Sequence, residues 1–377
     1  MDFRFSEEHD MFRKTVSDFA QKEFKPIVQE LYERAEWPMD LYRKLGKLGF
    51  VGLRFPEKYG GSGAGMIMEC IFVEEMSKVE FGFPGGIFSS ALSVTPIYHH
   101  GTEEQKEKYL VPANRGEKLG AIAITEPNAG SDVASIECKA VKDGNSYVIN
   151  GTKMFISNSP VADFLTVAVK TDKTKKHRGI SLIVVERGTP GLRVNKLDVF
   201  GSRLCERGEV VFEDCRVPKE NLIGEENKGF YYIMEAFDRE RILIGAACVG
   251  VAQGAFDEAL EYAKQREQFG QPIGKFQGIQ FMLADMAVDI EAGRLLTYKG
   301  AWAADQGMEI TQEAAFAKLY CGEMANRVCY KAVQIHGGYG YSMEFPVQRH
   351  ARDARLLSIG GGTSQIQQNL IARRLGL

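Results

Sequence analysis

The residues best suited to acid–base chemistry form one cluster, Phe237-Asp238-Arg239-Glu240-Arg241, beside a long apolar run from Ile242 to Ala255. One interpretation is a solvated helix end with i,i+3 and i,i+4 ion pairs, which the pattern alone favours. A carboxylate beside apolar residues can instead have a raised pKa and act as a general base. Glu240 is the candidate base under that second interpretation.

Three segments rich in small residues could approach a phosphate group or the edge of a flavin. They are Ile124-Thr125-Glu126-Pro127-Asn128-Ala129-Gly130-Ser131-Asp132, His336-Gly337-Gly338-Tyr339-Gly340 and Gly360-Gly361-Gly362-Thr363-Ser364. Glycine permits positive φ and close backbone approach, although turns and helix caps use it equally. The sequence has no strand followed by Gly-x-Gly-x-x-Gly and no P-loop, so a dinucleotide would bind in another way.

Charge and cysteine content exclude several classes of protein. Lys plus Arg number 47 and Asp plus Glu number 50, so a net charge of −3 gives no general attraction for nucleic acid or an anionic membrane. The seven cysteines show no Cys-x-x-Cys pairs, which argues against zinc, any other metal site and a disulfide framework. We expect a cytoplasmic protein with no membrane span, because no stretch approaches about 18 apolar residues and the N-terminus reads as a polar helix.

The pattern of residue types along the sequence predicts three domains. A helical pattern begins with Ser6 as N-cap and continues to about residue 115, which predicts an N-terminal helical domain over 1–118. Short β-branched runs follow, with a hairpin expected at Asn150-Gly151, and predict a β domain over 119–225. Long helices return over 231–266, 277–306, 311–336 and 363–375, within a third domain over 226–377. The fold class is α+β.

Several separated signatures, in the right order, make the whole chain resemble the acyl-CoA dehydrogenases. They are Ile124-Thr125-Glu126-Pro127 with Ala129-Gly130-Ser131-Asp132, Gly151-Thr152-Lys153-Met154-Phe155-Ile156-Ser157-Asn158, Arg266-Glu267-Gln268-Phe269-Gly270 with Phe276-Gln277, Gln334-Ile335-His336-Gly337-Gly338-Tyr339-Gly340, Arg352-Asp353-Ala354, and Gly362-Thr363-Ser364-Gln365-Ile366. The resemblance implies a helical N-terminal domain, a barrel-like middle β domain, a C-terminal four-helix bundle, one FAD per subunit and a homotetramer.

The resemblance also assigns the cofactor residues. Thr125, Ser131, Phe155 and Ser157 are expected around the isoalloxazine and its ribityl chain, with Phe155 in place of a common Trp. Arg266, Phe269, Gln277, Gln334, Gly337 and Gly338 of the neighbouring subunit are expected at the ADP half. Thr363 and Gln365 are expected to contact FAD within the subunit.

At one position the chain departs from most of the family. The usual catalytic Glu precedes the Gly-Thr of the last signature, but that position is Gly361 here. A minority of the family carries its base at the position of Glu240, so the resemblance now favours Glu240 as the base. Ser131, Asp238, Arg241 and Gly361 are the predicted substrate-binding residues, and the missing side chain at 361 suggests space for a branched, cyclic or aryl-bearing acyl group.

The predicted activity is the α,β-dehydrogenation of an acyl-CoA, with electrons passed to electron-transferring flavoprotein. The same fold can run as an enoyl-CoA reductase or serve as a non-enzymatic flavoprotein, and both alternatives stay open. Acyl-CoA oxidases are usually much longer, and the 1,4-eliminating relatives use an Asp that is absent between Phe81 and His100. The short C-terminus leaves no room for the basic DNA-binding domain of one relative.

Overall fold

The computed structural model describes residues 4–377, so the first three residues of the predicted N-terminal domain lie outside the described part. In this described part seven α-helices precede the sheet: α1 (Glu7–Phe19), α2 (Val28–Arg34), α3 (Met39–Lys47), α4 (Gly65–Ser77), α5 (Gly82–His100), α6 (Glu103–Gln105) and α7 (Val111–Asn114). Ser6 caps α1 as predicted, since its hydroxyl accepts the His9 N–H at 3.2 Å. Helices α4 and α5 are apolar on most sides and almost wholly buried.

The middle of the chain forms one curled seven-stranded sheet. Its strands are β1 (Gly120–Ala123), β2 (Lys139–Asp143), β3 (Ser146–Ser157), β4 (Phe164–Lys170), β5 (Ile180–Glu186), β6 (Leu192–Leu197) and β7 (Arg207–Pro218). The order is β1-β4-β2-β3-β7-β6, with β5 paired to β4. Strands β4 and β5 are buried along nearly their whole length because their side chains pack into apolar clusters on both faces, one shared with α5 and one within the curled sheet.

The predicted hairpin at Asn150-Gly151 is wrong. Both residues lie inside β3, and the turn that joins β2 to β3 falls at Gly144, where φ is +62°. Gly151 occupies a register shift between β3 and β7, a bulge in which φ is +146°. Asn150 closes the bulge, since its amide exchanges two hydrogen bonds with Asp214, at 3.1 and 2.9 Å. An Asn-Gly pair therefore suits a bulge as well as a turn.

Five long or medium helices form the C-terminal part: α8 (Gly229–Gln265), α9 (Gln277–Asp305), α10 (Thr311–His336), α11 (Pro346–Leu357) and α12 (Ser364–Arg374), with the two-residue strands β8 (Glu267–Gln268) and β9 (Gln271–Pro272) after α8. The sequence prediction missed α11. Helix α8 packs against α4, α5, α9, α10 and α11 and forms the axis of this domain. The helical, curled-sheet and helical parts confirm the predicted α+β fold.

The expectation that no segment is apolar enough for a membrane span does not hold for α8. It is the one helix in residues 4–377 whose length and composition would suffice, but 78% of its most apolar window is buried inside the protein. This degree of burial is typical of a core helix. All seven cysteines are also buried and free.

One buried carboxyl group, Asp353, joins the three parts of the fold, and a second, Glu80, lies close enough for its charge to be felt. Asp353 on α11 accepts hydrogen bonds from the Tyr32 hydroxyl at 2.8 Å and from the Ser202 N–H at 2.5 Å. Glu80, just before α5, accepts the N–H groups of Gly82 and Phe83. Burial, reinforced by the negative charge of Asp353, raises the pKa of Glu80 to about 8.

We expect Glu80 to make the protein less stable as pH rises from about 4.5 to about 8. In that range the unfolded carboxyl is ionised while the folded one keeps its proton, so the folded state binds more protons and the free energy of unfolding falls, by roughly a few kcal/mol. Urea denaturation across this pH range measures the effect. Glu80→Gln should lose less stability than wild type over this range, and exposed Glu107→Gln should follow the wild-type profile. Equal pH dependences for wild type and Glu80→Gln would contradict the assignment.

Candidate active site

Glu240 lies on α8, three turns inside the helix, where the sequence turns from charged to apolar. The residue as a whole keeps some exposure, but its Oε2 atom is buried and makes no hydrogen bond to any described group. Burial raises the pKa of Glu240 to about 7, and the charge of nearby Arg241 opposes that rise. A carboxylate in this state can accept a proton near neutral pH.

Three cations act on Glu240 without forming a hydrogen bond to it: Arg241, Arg54 and Lys318. Arg54 lies in the loop between α3 and α4 and is itself buried, with its guanidinium 3.0 Å from Glu69 and 2.9 Å from the Thr95 hydroxyl. The sequence analysis missed Arg54 and Lys318. No local signal could have found them, because they belong to elements far from Glu240 in the chain.

Asp238 and Arg241, both predicted to bind substrate, form an ion pair one helical turn apart. The Arg241 guanidinium donates to Asp238 Oδ1 at 2.7 Å, and the Thr311 hydroxyl donates to Oδ2 at 2.6 Å. The pair therefore fastens α8 to the beginning of α10. A contact of either residue with substrate stays a prediction.

A buried ion pair shapes the loop that carries Thr125 and Ser131. Lys153 of β3 is fully buried, and its ammonium lies 2.8 Å from Glu126 Oε1 and 2.9 Å from the Ile124 carbonyl. The Glu126 carboxylate also accepts the backbone N–H groups of residues 137 and 138. Because one carboxylate holds both ends of the loop, Ser131 is presented at the surface in a defined position.

Phe155 has a backbone conformation that is rare for a bulky residue. Its φ is +60°, and it lies in the second register shift between β3 and β7, between Lys153 and Ile156. The bulge turns the ring outwards, so that 63% of Phe155 is exposed while Ile156 is buried. Such strain at an exposed aromatic ring indicates a binding function. Ser157 follows it, half-buried, at the end of β3.

The remaining predicted cofactor residues lie at the ends of α8, α9, α10 and α12. Arg266 follows α8 and places its guanidinium 5.5 Å from the ring of Tyr339. Gly337, with φ +59°, and Gly338 have open space where a side chain would be. Phe269 also has positive φ and is 95% exposed. The other four are Gln277 at the start of α9, Gln334 near the end of α10, Thr363 as N-cap of α12, and Gln365 in its first turn.

Comparison with known proteins decides the family. Models described as the N-terminal, middle and C-terminal domains of acyl-CoA dehydrogenase match residues 6–117, 121–215 and 227–376. The chain belongs to the acyl-CoA dehydrogenase family. Its members are flavoproteins that act as oxidoreductases on CH–CH bonds.

Similar proteins match over the full length. The chain is 45% identical to the short-chain specific acyl-CoA dehydrogenase of Clostridium acetobutylicum, with 100% of both chains covered. It is 44% identical to subunit CarC of the caffeyl-CoA reductase-Etf complex of Acetobacterium woodii, covering 98% of this chain and 99% of CarC. The solved butyryl-CoA dehydrogenase from Megasphaera elsdenii superposes with a TM-score of 0.96, at 42% identity and complete coverage of both chains.

The residues of this acyl-CoA dehydrogenase fit a flavin dinucleotide. All twelve predicted cofactor residues are at least partly exposed, and they offer an aromatic ring at Phe155, hydroxyl groups at Thr125 and Ser157, and a cation at Arg266. The open backbone at Gly337 and Gly338 can approach a phosphate group closely. These features suit a planar ring system joined to a pyrophosphate.

The expected space beside Gly361 is occupied. A Cβ at Gly361, where φ is +65°, would lie 2.3 Å from the Cδ1 atom of Ile244. Ile244 is one helical turn after Glu240 on α8 and is buried. The glycine therefore makes room for Ile244 rather than leaving a void, a contact that the sequence analysis missed because it joins distant segments.

We expect Gly361→Ala to destabilise the protein by about 1–3 kcal/mol, since it adds a clash to a backbone with positive φ. Ile244→Val removes the Cδ1 atom and should reduce the cost of Gly361→Ala in the double variant. Gly360→Ala is the control, because its Cβ would have no neighbour closer than 3.7 Å. Urea denaturation of the four variants measures this coupling, and strict additivity of the two substitutions would contradict the proposed contact.

Proposed function

We propose that this chain is an FAD-dependent acyl-CoA dehydrogenase in which Glu240 removes the α proton of the acyl thioester. The observation that carries the proposal is the buried, unpaired carboxylate oxygen of Glu240 on α8, together with a glycine at the usual position of the base. A proton acceptor is required to form the enolate, and Glu240 is the desolvated carboxylate that has both the location and a pKa near neutrality.

The neighbouring residues support proton removal in two ways. The backbone N–H of Gly361 makes no hydrogen bond within the described chain, so it can donate to the thioester carbonyl and stabilise the developing enolate. Closure of the pocket by substrate would exclude water from Glu240 and make it a stronger base for the α proton. FAD, when bound, supplies the acceptor for the β hydrogen and its two electrons.

We further infer a short acyl group and electron-transferring flavoprotein as the electron partner. Ile244 restricts the pocket beside Gly361, and the C. acetobutylicum relative is named short-chain specific. The name of the CarC relative places that protein in a complex with an electron-transferring flavoprotein. A cytoplasmic location stays a prediction based on the buried, free cysteines.

The test of Glu240 is reduction of the flavin absorbance of the purified enzyme by straight, branched and cyclic acyl-CoAs. Wild type should bleach with a short thioester, faster as pH rises through about 7 because the base must be ionised. Glu240→Gln should retain FAD but bleach at least about 100-fold more slowly. Glu235→Gln, which is exposed on the same helix, is the matched control.

Two outcomes would refute parts of the proposal. If Glu240→Gln bleached at the wild-type rate, another residue would be the base. If saturated thioesters left the wild-type flavin oxidised while an enoyl-CoA reoxidised the chemically reduced enzyme, the chain would be a reductase. Reoxidation of the substrate-reduced enzyme by electron-transferring flavoprotein tests the partner separately.

We also propose a homotetramer, with α9 at a contact between copies. Four exposed apolar residues lie seven positions apart on this helix, namely Phe281, Val288, Leu295 and Trp302. Seven residues are close to two turns, so the four side chains form one stripe about 30 Å long. A stripe of this length with heptad spacing suits packing against a helix of a second copy.

We expect Leu295→Glu to lower the molecular mass in solution, measured by light scattering after size exclusion, because a charge would be buried at the contact. Met11→Glu changes an exposed apolar residue on α1 and should leave the mass unchanged. An unchanged mass for Leu295→Glu would show that assembly does not use this stripe.

A further inference from the structure

Lys318 is a buried cation without an obvious structural purpose. It lies on α10, none of the residue is exposed, and its Nζ atom makes no hydrogen bond to any described group. Burial lowers the pKa of Lys318 to about 8. An isolated ammonium in the interior is unfavourable for folding, so its burial indicates a function other than stabilising the fold.

The packing of α10 on α8 shows what surrounds Lys318. Thr311 of α10 donates to Asp238 of α8, and the Cβ of Ala317, next to Lys318, lies 3.5 Å from where a Cβ of Gly245 would be. The charged or titratable groups that act on Lys318 are Cys248, Arg241 and Glu240 on α8 and Glu323 on α10. The Cys248 thiol stays neutral, because burial raises its pKa well above the ordinary value. The Glu323 carboxylate already accepts the Ser364 hydroxyl. Lys318 thus lies where α10 packs against the part of α8 that follows Glu240.

The other two cations near Glu240 are tied to carboxylates of their own. Arg54 donates two hydrogen bonds to Glu69, at 3.0 and 3.1 Å, and Arg241 donates to Asp238. Arg241 and Arg54 also lower the pKa of Glu240, but each of them balances a carboxylate of its own. Of the three, Lys318 is the cation without a hydrogen-bonded carboxylate among the described residues.

We propose that Lys318 is a positioning residue for the base: its buried, unpaired ammonium, on α10 where that helix packs against α8, favours the ionised form of the Glu240 carboxylate. The proposal rests on the proposed role of Glu240 in the reaction. The two groups stay apart because the carboxylate must remain free to receive the substrate's proton, and a direct salt bridge would hold it back. An uncompensated charge at a distance favours ionisation without occupying the carboxylate oxygens.

The experiment compares wild-type holoenzyme with Lys318→Met, which removes the charge but fills a similar apolar volume. Infrared titration of the carboxyl C=O band, assigned by its loss in Glu240→Gln, follows Glu240 without any turnover. The midpoint should be near 7 in wild type and about one pH unit higher in Lys318→Met. Lys318→Arg keeps the charge and should titrate like wild type, and Lys47→Met removes an exposed cation as the matched control.

Flavin bleaching by the best acyl-CoA provides the kinetic test. Such a rise in the midpoint should slow bleaching about fivefold at pH 7 and hardly at all at pH 9, since only the ionised fraction of Glu240 reacts. Equal midpoints in wild type and Lys318→Met, or a rate loss independent of pH, would overturn the proposal. Should no thioester bleach wild type, the proposed function fails, whereas the infrared titration still decides whether Lys318 controls the ionisation of Glu240.

Discussion

The site depends on a carboxylate that is buried without a hydrogen-bond partner. Exposed to water, the Glu240 carboxyl would be ionised at neutral pH. In a salt bridge it would also be ionised, but its oxygens would be occupied by the cation. The fold instead buries Oε2 without a hydrogen-bond partner, and burial raises the pKa of Glu240 to about 7. Such a group is unfavourable for folding and can persist only in a rigid surrounding.

That rigidity comes from the position of α8 at the centre of the C-terminal domain. Five other helices pack against it, and the Asp238–Arg241 pair fastens its charged portion to Thr311 of α10. The same helix places Ile244 against Gly361. One element therefore carries the candidate base, the side chain that fills the space beside Gly361 and one of the three cations that act on the base.

The middle sheet also contains a buried carboxylate, but there it forms an ion pair. Here the buried pair Lys153–Glu126 is fully satisfied, since the carboxylate also holds two backbone N–H groups. An ion pair whose hydrogen bonds are all made fixes the conformation of a loop, whereas a carboxylate without hydrogen-bond partners stays free to accept a proton. The strained bulge at Phe155 then exposes an aromatic ring next to that loop, where the dinucleotide is proposed to bind.

Local patterns predicted much of the secondary structure. The bounds of α10 and the capping role of Ser6 follow directly from periodicity and side-chain type. The hairpin prediction at Asn150-Gly151 was wrong because the positive φ that glycine permits suits both a turn and a bulge. Only the pairing of β3 with β7 distinguishes the two. Helix α11 was missed, although it carries Asp353 at the junction of the three parts.

The sequence by itself determined the family, the order of the three domains and Glu240 as the candidate base, because each depends on residue types and on spacing along the chain. Only the tertiary structure decided that Glu240 Oε2 lacks a partner, that Ile244 occupies the space beside Gly361, and that Lys318 is buried without a partner where α10 packs on α8. The physical reason is that desolvation and charge act through space. Two of the three cations that act on Glu240 come from α10 and from the loop before α4, which no local pattern connects to α8.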